Sequence, residues 1–308
     1  MTTNNFKAFG IGAGANVTGQ TDYEALTALL TGFQSGKASS AQINKALRQG
    51  TVMASVLAQF IADSANVDVL DDGNLANILA NMKLGMKTLT PGRVLATRAW
   101  LTNTIYTQTP GTTQVEIWLV GGGGGSGGAA ATGSGQFSAG GGGIAGAFAY
   151  TGLIAVPASG TVITVGSGGV GAAAGNNNGS PGGVSSVGSI ISCPGGGGGA
   201  GGGASSYSNT VARIGDPSAA PTGATFLTVR GAPATNVVGF SSGLIKGGDG
   251  GASFFGTGGA GGHSVTNAAG APGLNYGSGG GGPAIGQNGG AQSGANGFGG
   301  IVIIKEYA

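Results

Sequence analysis

One cysteine, one histidine and a charged fraction of 7% leave most site chemistry without its parts. Cys193 alone excludes an internal disulfide framework and a cysteine-based zinc site. With His263 it supplies at most two ligands, short of the usual zinc shell. A net charge of +2 argues against nucleic acid as the main partner. No run is long and apolar enough to span a bilayer, and Met1–Gln20 has no apolar core, so neither a membrane span nor a signal peptide is expected. Ten prolines without a strict Gly-X-Y period argue against collagen. No cofactor and no metal are expected.

Catalytic motifs fare no better. Glycine-rich runs produce many G-x-G-x-x-G matches, but no amphipathic helix follows Gly125 as a dinucleotide fold requires. A P-loop is absent, since Lys37 is followed by Ala38. The stretch 247–250 offers a single carboxylate, too few for calcium. A triad of His263 and Asp249 with a serine lacks a nucleophile elbow. Glycan hydrolysis usually needs two flanking carboxylates, and residues 121–300 hold only Asp216 and Asp249, each explained by a turn. The expectation is that the chain is not an enzyme.

Glycine is what the sequence has in excess. Of 72 glycines in 308 residues, 11 precede residue 121. That shift is too abrupt for one uniform domain. Strand-like runs lead directly into glycine: Val115–Val120 into Gly121–Gly125, Thr161–Val165 into Gly166–Gly169, and Ser189–Pro194 into Gly195–Gly199. Ile301–Ile304 closes the chain as a strand with no glycine after it. A flexible linker is the plain alternative. Against it, the glycines are interleaved with Val, Ile, Phe and Ala, and between Gly121 and Gly300 the only charges are Arg213, Asp216, Arg230, Lys246 and Asp249. An ordered form exists, the polyproline-II helix, with three residues per turn and no internal hydrogen bonds. Five glycines in a row leave all three faces bare, so such helices can pair backbone to backbone on every side. A stack of short left-handed glycine helices is expected over 114–308, and Gly197→Val is expected to disrupt it if Gly197 faces another helix.

The first 113 residues read differently. Residues 1–20 form an extended arm. Residues 21–88 form a small all-α unit with a marginal core, fitted to attachment or oligomerisation. Its first helix has a capping box, Thr21 with Glu24, and runs to about Thr31. Ser39 or Ser40 caps a second helix, which Gly50 breaks or kinks, and Asp71-Asp72-Gly73 precedes a third. Residues 89–113 are a linker and a hairpin-like lead-in, with a strand over Arg98–Thr107. Trp100 and Trp118 are expected to pack together at its base.

Larger side chains cluster in the stretches between glycine runs, where a rigid scaffold concentrates function. Aromatics beside Ser and Asn are common in recognition surfaces. The candidates for contact with a partner are Tyr207, Arg213, Phe240, Phe254, Phe255, His263 and Tyr276. Any single aromatic among them could instead cover an edge of the glycine stack.

The succession VEIWLVGGGGGSGG, SAGGGGIAGAFA, TVITVGSGGVG, ISCPGGGGGAGGG and GFGGIVIIKEY resembles the glycine-rich domain at the receptor-binding end of bacteriophage and prophage tail fibres. It covers about 97–308. The start, FKAFGIGAGANVTGQTDYEALTALLTGFQSG, also looks like that of prophage-type tail fibre proteins. Distal adhesins of T-even-like phages are similar, with a polyglycine-II sandwich whose loops contact outer-membrane proteins, but they lack the helical part present here. The resemblance implies a virion protein at the tail fibre or tail tip, made in the host cytoplasm. Its implied partners are a bacterial surface receptor, protein or glycan, and other tail proteins. A homo-oligomer such as a trimer is expected. A structural tail-tip connector without receptor contact is the alternative.

Overall fold

The structure is a computed structural model that describes residues 2–33, 39–207, 210–212, 217–223, 225–241, 244–264 and 267–308. The chain divides into two compact units, Met1–Arg93 and Val94–Ala308.

The first unit is helical: α1 (Gln20–Glu24), α2 (Ala28–Thr31), α3 (Ser40–Ala65) and α4 (Leu75–Thr88). Ala58, Ile61 and Ala62 of α3 bury with Val69, and Phe6, Ile78 and Met82 pack on them. Gly85 lets α4 approach α3, since a Cβ there would lie 2.5 Å from the Ser64 hydroxyl. The expected capping box does not form. Gly19, not Thr21, is the N-cap and has no side-chain bond to give, while Glu24 accepts from the Gln20 amide at 2.6 Å. The helix also stops before Thr31: Leu29 and Leu30 donate to Leu26 and Thr27, a tighter three-residue step that separates α2. Gly50 does not break α3 into two helices, because a 26-residue helix absorbs the roughly 1 kcal/mol that one interior glycine costs. Many large apolar side chains of this unit stay exposed, among them Leu47, Met53, Val56, Leu57 and Phe60 on α3 and Leu75, Leu79 and Met86 on α4.

The second unit is rich in short strands. In chain order they are β1 (Val94–Trp100), β2 (Thr104–Ile105), β3 (Gln114–Val120), β4 (Gln136–Ala139), β5 (Phe148–Ala155), β6 (Val162–Thr164), β7 (Ser185–Val187), β8 (Ile191–Cys193) and β9 (Ser205–Ser206). They continue as β10 (Thr210–Ala212), β11 (Thr222–Gly223), β12 (Leu227–Val229), β13 (Val237–Ser241), β14 (Leu244–Lys246), β15 (His263–Ser264), β16 (Asn267–Ala268), β17 (Ala284–Ile285) and β18 (Ile301–Tyr307). Two five-stranded sheets, β1-β18-β3-β5-β12 and β11-β8-β7-β6-β2, enclose the main core. Alternation along β3 buries Val115, Ile117 and Leu119 there with Tyr106, Ile163, Val187, Ile191, Cys193, Val302 and Ile304. Two four-stranded sheets, β10-β13-β14-β15 and β16-β17-β4-β9, carry a smaller core of Phe137, Ala139, Val237, Ile245 and Ala284.

Three expectations for the lead-in are corrected. The strand over 98–107 is two pieces that join different sheets, with the break at 101–103, where the Asn103 side chain accepts from Val165 N at 2.8 Å. β1 does not fold back onto β3, because the C-terminal β18 lies between them and pairs antiparallel with both. Trp100 and Trp118 therefore do not meet: Trp100 packs on the main core, while Trp118 stacks on Tyr150 across the other face.

The glycine segments join the two ends of this unit. From Gly121 to Ala129 the amides turn through three directions in succession. Gly121, Gly124 and Gly127 donate to the carbonyls of Ala147, Ile144 and Gly141. Gly122, Gly125 and Gly128 donate to Gly183, Ser180 and Asn177, and Gly123, Ser126 and Ala129 to Phe298, Ala295 and Gln292, all at 2.8–3.0 Å. Each series steps by three residues and runs antiparallel. The carbonyls accept in turn from a parallel series at Gly196, Gly199 and Gly202, another at Gly169, Ala172 and Gly175, and from Gly280. One segment thus touches six neighbours through backbone alone, which satisfies buried peptide groups without a sheet. A Cβ on Gly121, Gly122, Gly123, Gly124 or Gly125 would lie closer than 3.0 Å to a carbonyl oxygen of a neighbour, so all three faces are closed to side chains. Gly197, the residue singled out from the sequence, is an exception. A Cβ there would meet only the tip of Ile144, at 3.2 Å, whereas Gly196 and Gly198 face backbone.

Cys193 sits in the main core, and burial pushes its thiol up to about 12. The native chain should resist iodoacetamide at about pH 8 and react once unfolded, which mass spectrometry after timed labelling would read. Fast labelling of the folded chain would show that this core opens.

Candidate functional site

Because most glycines of these segments face neighbouring backbone, few larger side chains, Ile144 among them, fit within the array. The sequence candidates divide between the two ends of the array. Phe254, Phe255 and Tyr276 belong with the β3 end. Phe254 lies flat on Phe148, with ring centroids 3.8 Å apart, and Phe255 meets both rings edge-on. Tyr276 packs beside Val120, Phe148 and Ile301 and meets Phe298 edge-on. Tyr207, Phe240 and His263 belong with the β4 end. Tyr207 stacks on Phe137 at 5.7 Å and packs on the smaller core, so it is partly structural. Phe240 on β13 is exposed, as is His263, whose register partner on β14 is Lys246. Arg213 lies outside the described residues, as does Asp216.

The outer face of the first sheet holds aromatics that the sequence reading does not select. Alternation puts Trp118 and Glu116 opposite to Ile117. Trp118 stacks on Tyr150 at 4.9 Å, and Tyr150 meets Phe226, which is 79% exposed. Glu116 ties this row to the sheet by accepting from the Tyr150 hydroxyl at 2.7 Å and the Tyr307 hydroxyl at 2.6 Å. Its hydrogen bond, reinforced by desolvation, pushes Tyr150 up to about 12. The available signal is the placement of Trp118 between Ile117 and Leu119, which assigns it to the face away from the core.

At the other end, Asp249 fixes the start of a glycine segment. Burial raises its carboxyl, but Lys246, the Gly261 amide and the Thr235 hydroxyl outweigh that and hold it below the usual range. Gly261 N donates at 2.7 Å, and Lys246 forms an ion pair with the same carboxyl. Asp249 is thereby engaged in holding the backbone.

Beside this end lies an open cleft of about 410 Å³. Phe137, Val237, Asn176, Asn178, Ser205 and the backbone of 200–203 line it. The Asn178 side chain accepts from Gly201 N at 2.9 Å. Sequence reading misses Asn176 and Asn178, although three consecutive asparagines at 176–178 interrupt an otherwise glycine- and alanine-rich stretch. Among the described residues, no group of three or more His, Cys, Asp or Glu is placed to hold a metal ion, and no helix is long and apolar enough to cross a membrane.

A family model described as a glycine-rich domain matches residues 99–307. No curated protein matches the chain.

Proposed function

The chain belongs to the glycine-rich domain family, and on that premise we propose that it is a phage tail fibre adhesin. In this reading residues 1–88 attach to the virion tail or oligomerise, a trimer being one such form. Residues 94–308 recognise a bacterial surface receptor without covalent chemistry. The glycine segments are polyglycine-II helices in a sandwich. Three-residue hydrogen-bond steps to six neighbours support that assignment. The observation that carries the function is a backbone-bonded array in which larger side chains are scarce, with most of the candidate side chains gathered at its ends, which suits recognition on a rigid frame. Exposed apolar side chains on α3 and α4 favour attachment by docking or self-association. Several weak contacts per particle gain from effective concentration.

A second reading, a tail-tip connector, is favoured by the aromatic row of half-buried Trp118 and Tyr150 ending in exposed Phe226, which suits packing against another virion protein. Binding of the labelled full chain to cells of the host, with and without competing phage, separates the two. Saturable binding that blocks phage adsorption is expected. A folded chain that binds no cells but captures tail proteins would replace the adhesin with the connector.

A further inference from the structure

We propose that the cleft beside β4 binds a neutral saccharide. The inference rests on the adhesin reading and names the ligand class of one of its end surfaces. Three features of the cleft point to that chemistry. First, the described residues that line it include no charged side chain, so an ionic ligand would find no counter-charge there. Second, its polar groups are amides and hydroxyls: Asn176, Asn178, Ser205 and the peptide groups of 200–203. Amides present donors and acceptors side by side, which suits vicinal hydroxyls. Third, the edges of Phe137, Val237 and Ala139, otherwise buried in the smaller core, give the cleft a short apolar wall. A volume of about 410 Å³ falls in the small-molecule range of roughly 300–1,000 Å³.

Two orphaned groups lie near lining residues in the chain, although neither lines the cleft. The Tyr207 hydroxyl and the Asn236 side-chain oxygen are buried without a hydrogen-bond partner among the described residues. Tyr207 stacks on Phe137 and lies two residues beyond Ser205, while Asn236 adjoins Val237. The hydroxyl can donate or accept and the amide oxygen accepts, and buried polar groups rarely go unpaired.

Gly203 provides the test. A Cβ there would lie 3.4 Å from the Asn176 amide, ordinary contact, so Gly203→Leu fills the cleft without striking the backbone. The full chain is mixed with glucose, galactose, mannose, N-acetylglucosamine, maltose and cellobiose, and saturation transfer from protein to sugar is measured by NMR. At least one sugar should bind, with affinity falling about tenfold or more in Gly203→Leu and severalfold in Asn176→Ala. No transfer to any probe overturns the proposal, as does binding that Gly203→Leu leaves unchanged. Equal binding of glucuronic acid overturns the assignment to neutral ligands. Cell binding by the same variants distinguishes the two levels. Saturable cell binding without sugar binding defeats the cleft and spares the adhesin, whereas loss of both in the folded wild-type chain defeats the adhesin reading itself.

Discussion

Gly124→Val is expected to destabilise residues 94–308 strongly, while Gly299→Ala leaves them nearly unchanged. Gly124 donates to Ile144 O and its own carbonyl accepts from Gly280 N, so its backbone is held from two sides. A Cβ would press on the Gly197 carbonyl, which belongs to a parallel segment bonded to the same row. Moving that carbonyl away would stretch bonds such as those from Gly196 and Gly199 to Gly122 and Gly125. In an ordinary core a side-chain rotamer can yield, and overpacking costs about 1–3 kcal/mol. Here the obstacle is backbone with no rotamer, so the loss should exceed about 3 kcal/mol. For a unit of this size that is a fall in melting temperature of roughly 6 °C or more. At Gly299 the nearest atom to a Cβ is Gly166 O at 3.6 Å, an ordinary contact. Gly197→Ala should fall between the two, since only the tip of Ile144 must shift. Thermal unfolding followed by circular dichroism reads all three. Equal melting temperatures for Gly124→Val and wild type would mean that the glycine rows are loosely held and the backbone array is not what orders the domain.

That ranking of glycines marks where sequence reading reaches and where it stops. Five consecutive glycines imply that all three faces of Gly121–Gly125 are bare, and each of the five does face backbone. Which glycine of Gly195–Gly199 faces backbone depends on the rotation of the segment against its neighbours. Nothing in a run of identical residues encodes that rotation, so Gly197 is the wrong position for a disruptive substitution and its neighbours Gly196 and Gly198 are the right ones. Strand alternation is legible at Val115, Ile117 and Leu119, yet the insertion of β18 between β1 and β3 joins residues about 200 positions apart. No local pattern encodes such a pairing, although the alternation of Val302 and Ile304 with Ile303 shows a strand with one core face. The candidate aromatics are visible as a class. Their division between two ends is not, because it depends on the direction in which each glycine segment runs. Phe254 follows a segment whose Gly248 and Gly251 bond in parallel to Gly140 and Gly143, and this carries it to the β5 side. The polar lining of the cleft is largely main chain, which leaves no signature in the side-chain pattern.

Glu306→Gln is expected to destabilise the chain by about 2–3 kcal/mol at pH 7, the loss from weakening two or three charge-assisted hydrogen bonds to neutral ones. Glu306 on β18 is fully buried, with its carboxylate accepting from the Tyr106 hydroxyl at 2.6 Å, from Thr109 N at 3.2 Å and from the Thr109 hydroxyl. Arg98 approaches to 3.7 Å, but its side chain is 40% exposed, so solvent screens much of that attraction. The charge-assisted hydrogen bonds therefore carry most of the effect, at roughly 1.5–3 kcal/mol each against about 0.5–1.5 for neutral ones. A glutamine also turns one acceptor into a donor facing the Thr109 hydroxyl. Burial alone would raise the Glu306 carboxyl, yet the bonds from Thr109 and Tyr106, with Arg98, outweigh it and hold the carboxyl below its ordinary value of 4.5. The unfolded chain thus takes up this proton at higher pH than the folded chain. The stability Glu306 contributes is complete above about pH 4.5 and is lost as pH falls through the lower folded value. The difference between wild type and Glu306→Gln should accordingly be largest at neutral pH and shrink as the solution is acidified past 4.5, while Arg98→Ala should cost below about 1 kcal/mol throughout. Urea titrations of the three proteins at several pH values measure this directly. A difference for Glu306→Gln that stays constant down through acid pH would show that the side chain acts by shape and not by charge, and a cost for Arg98→Ala as large as that for Glu306→Gln would return the main role to the ion pair.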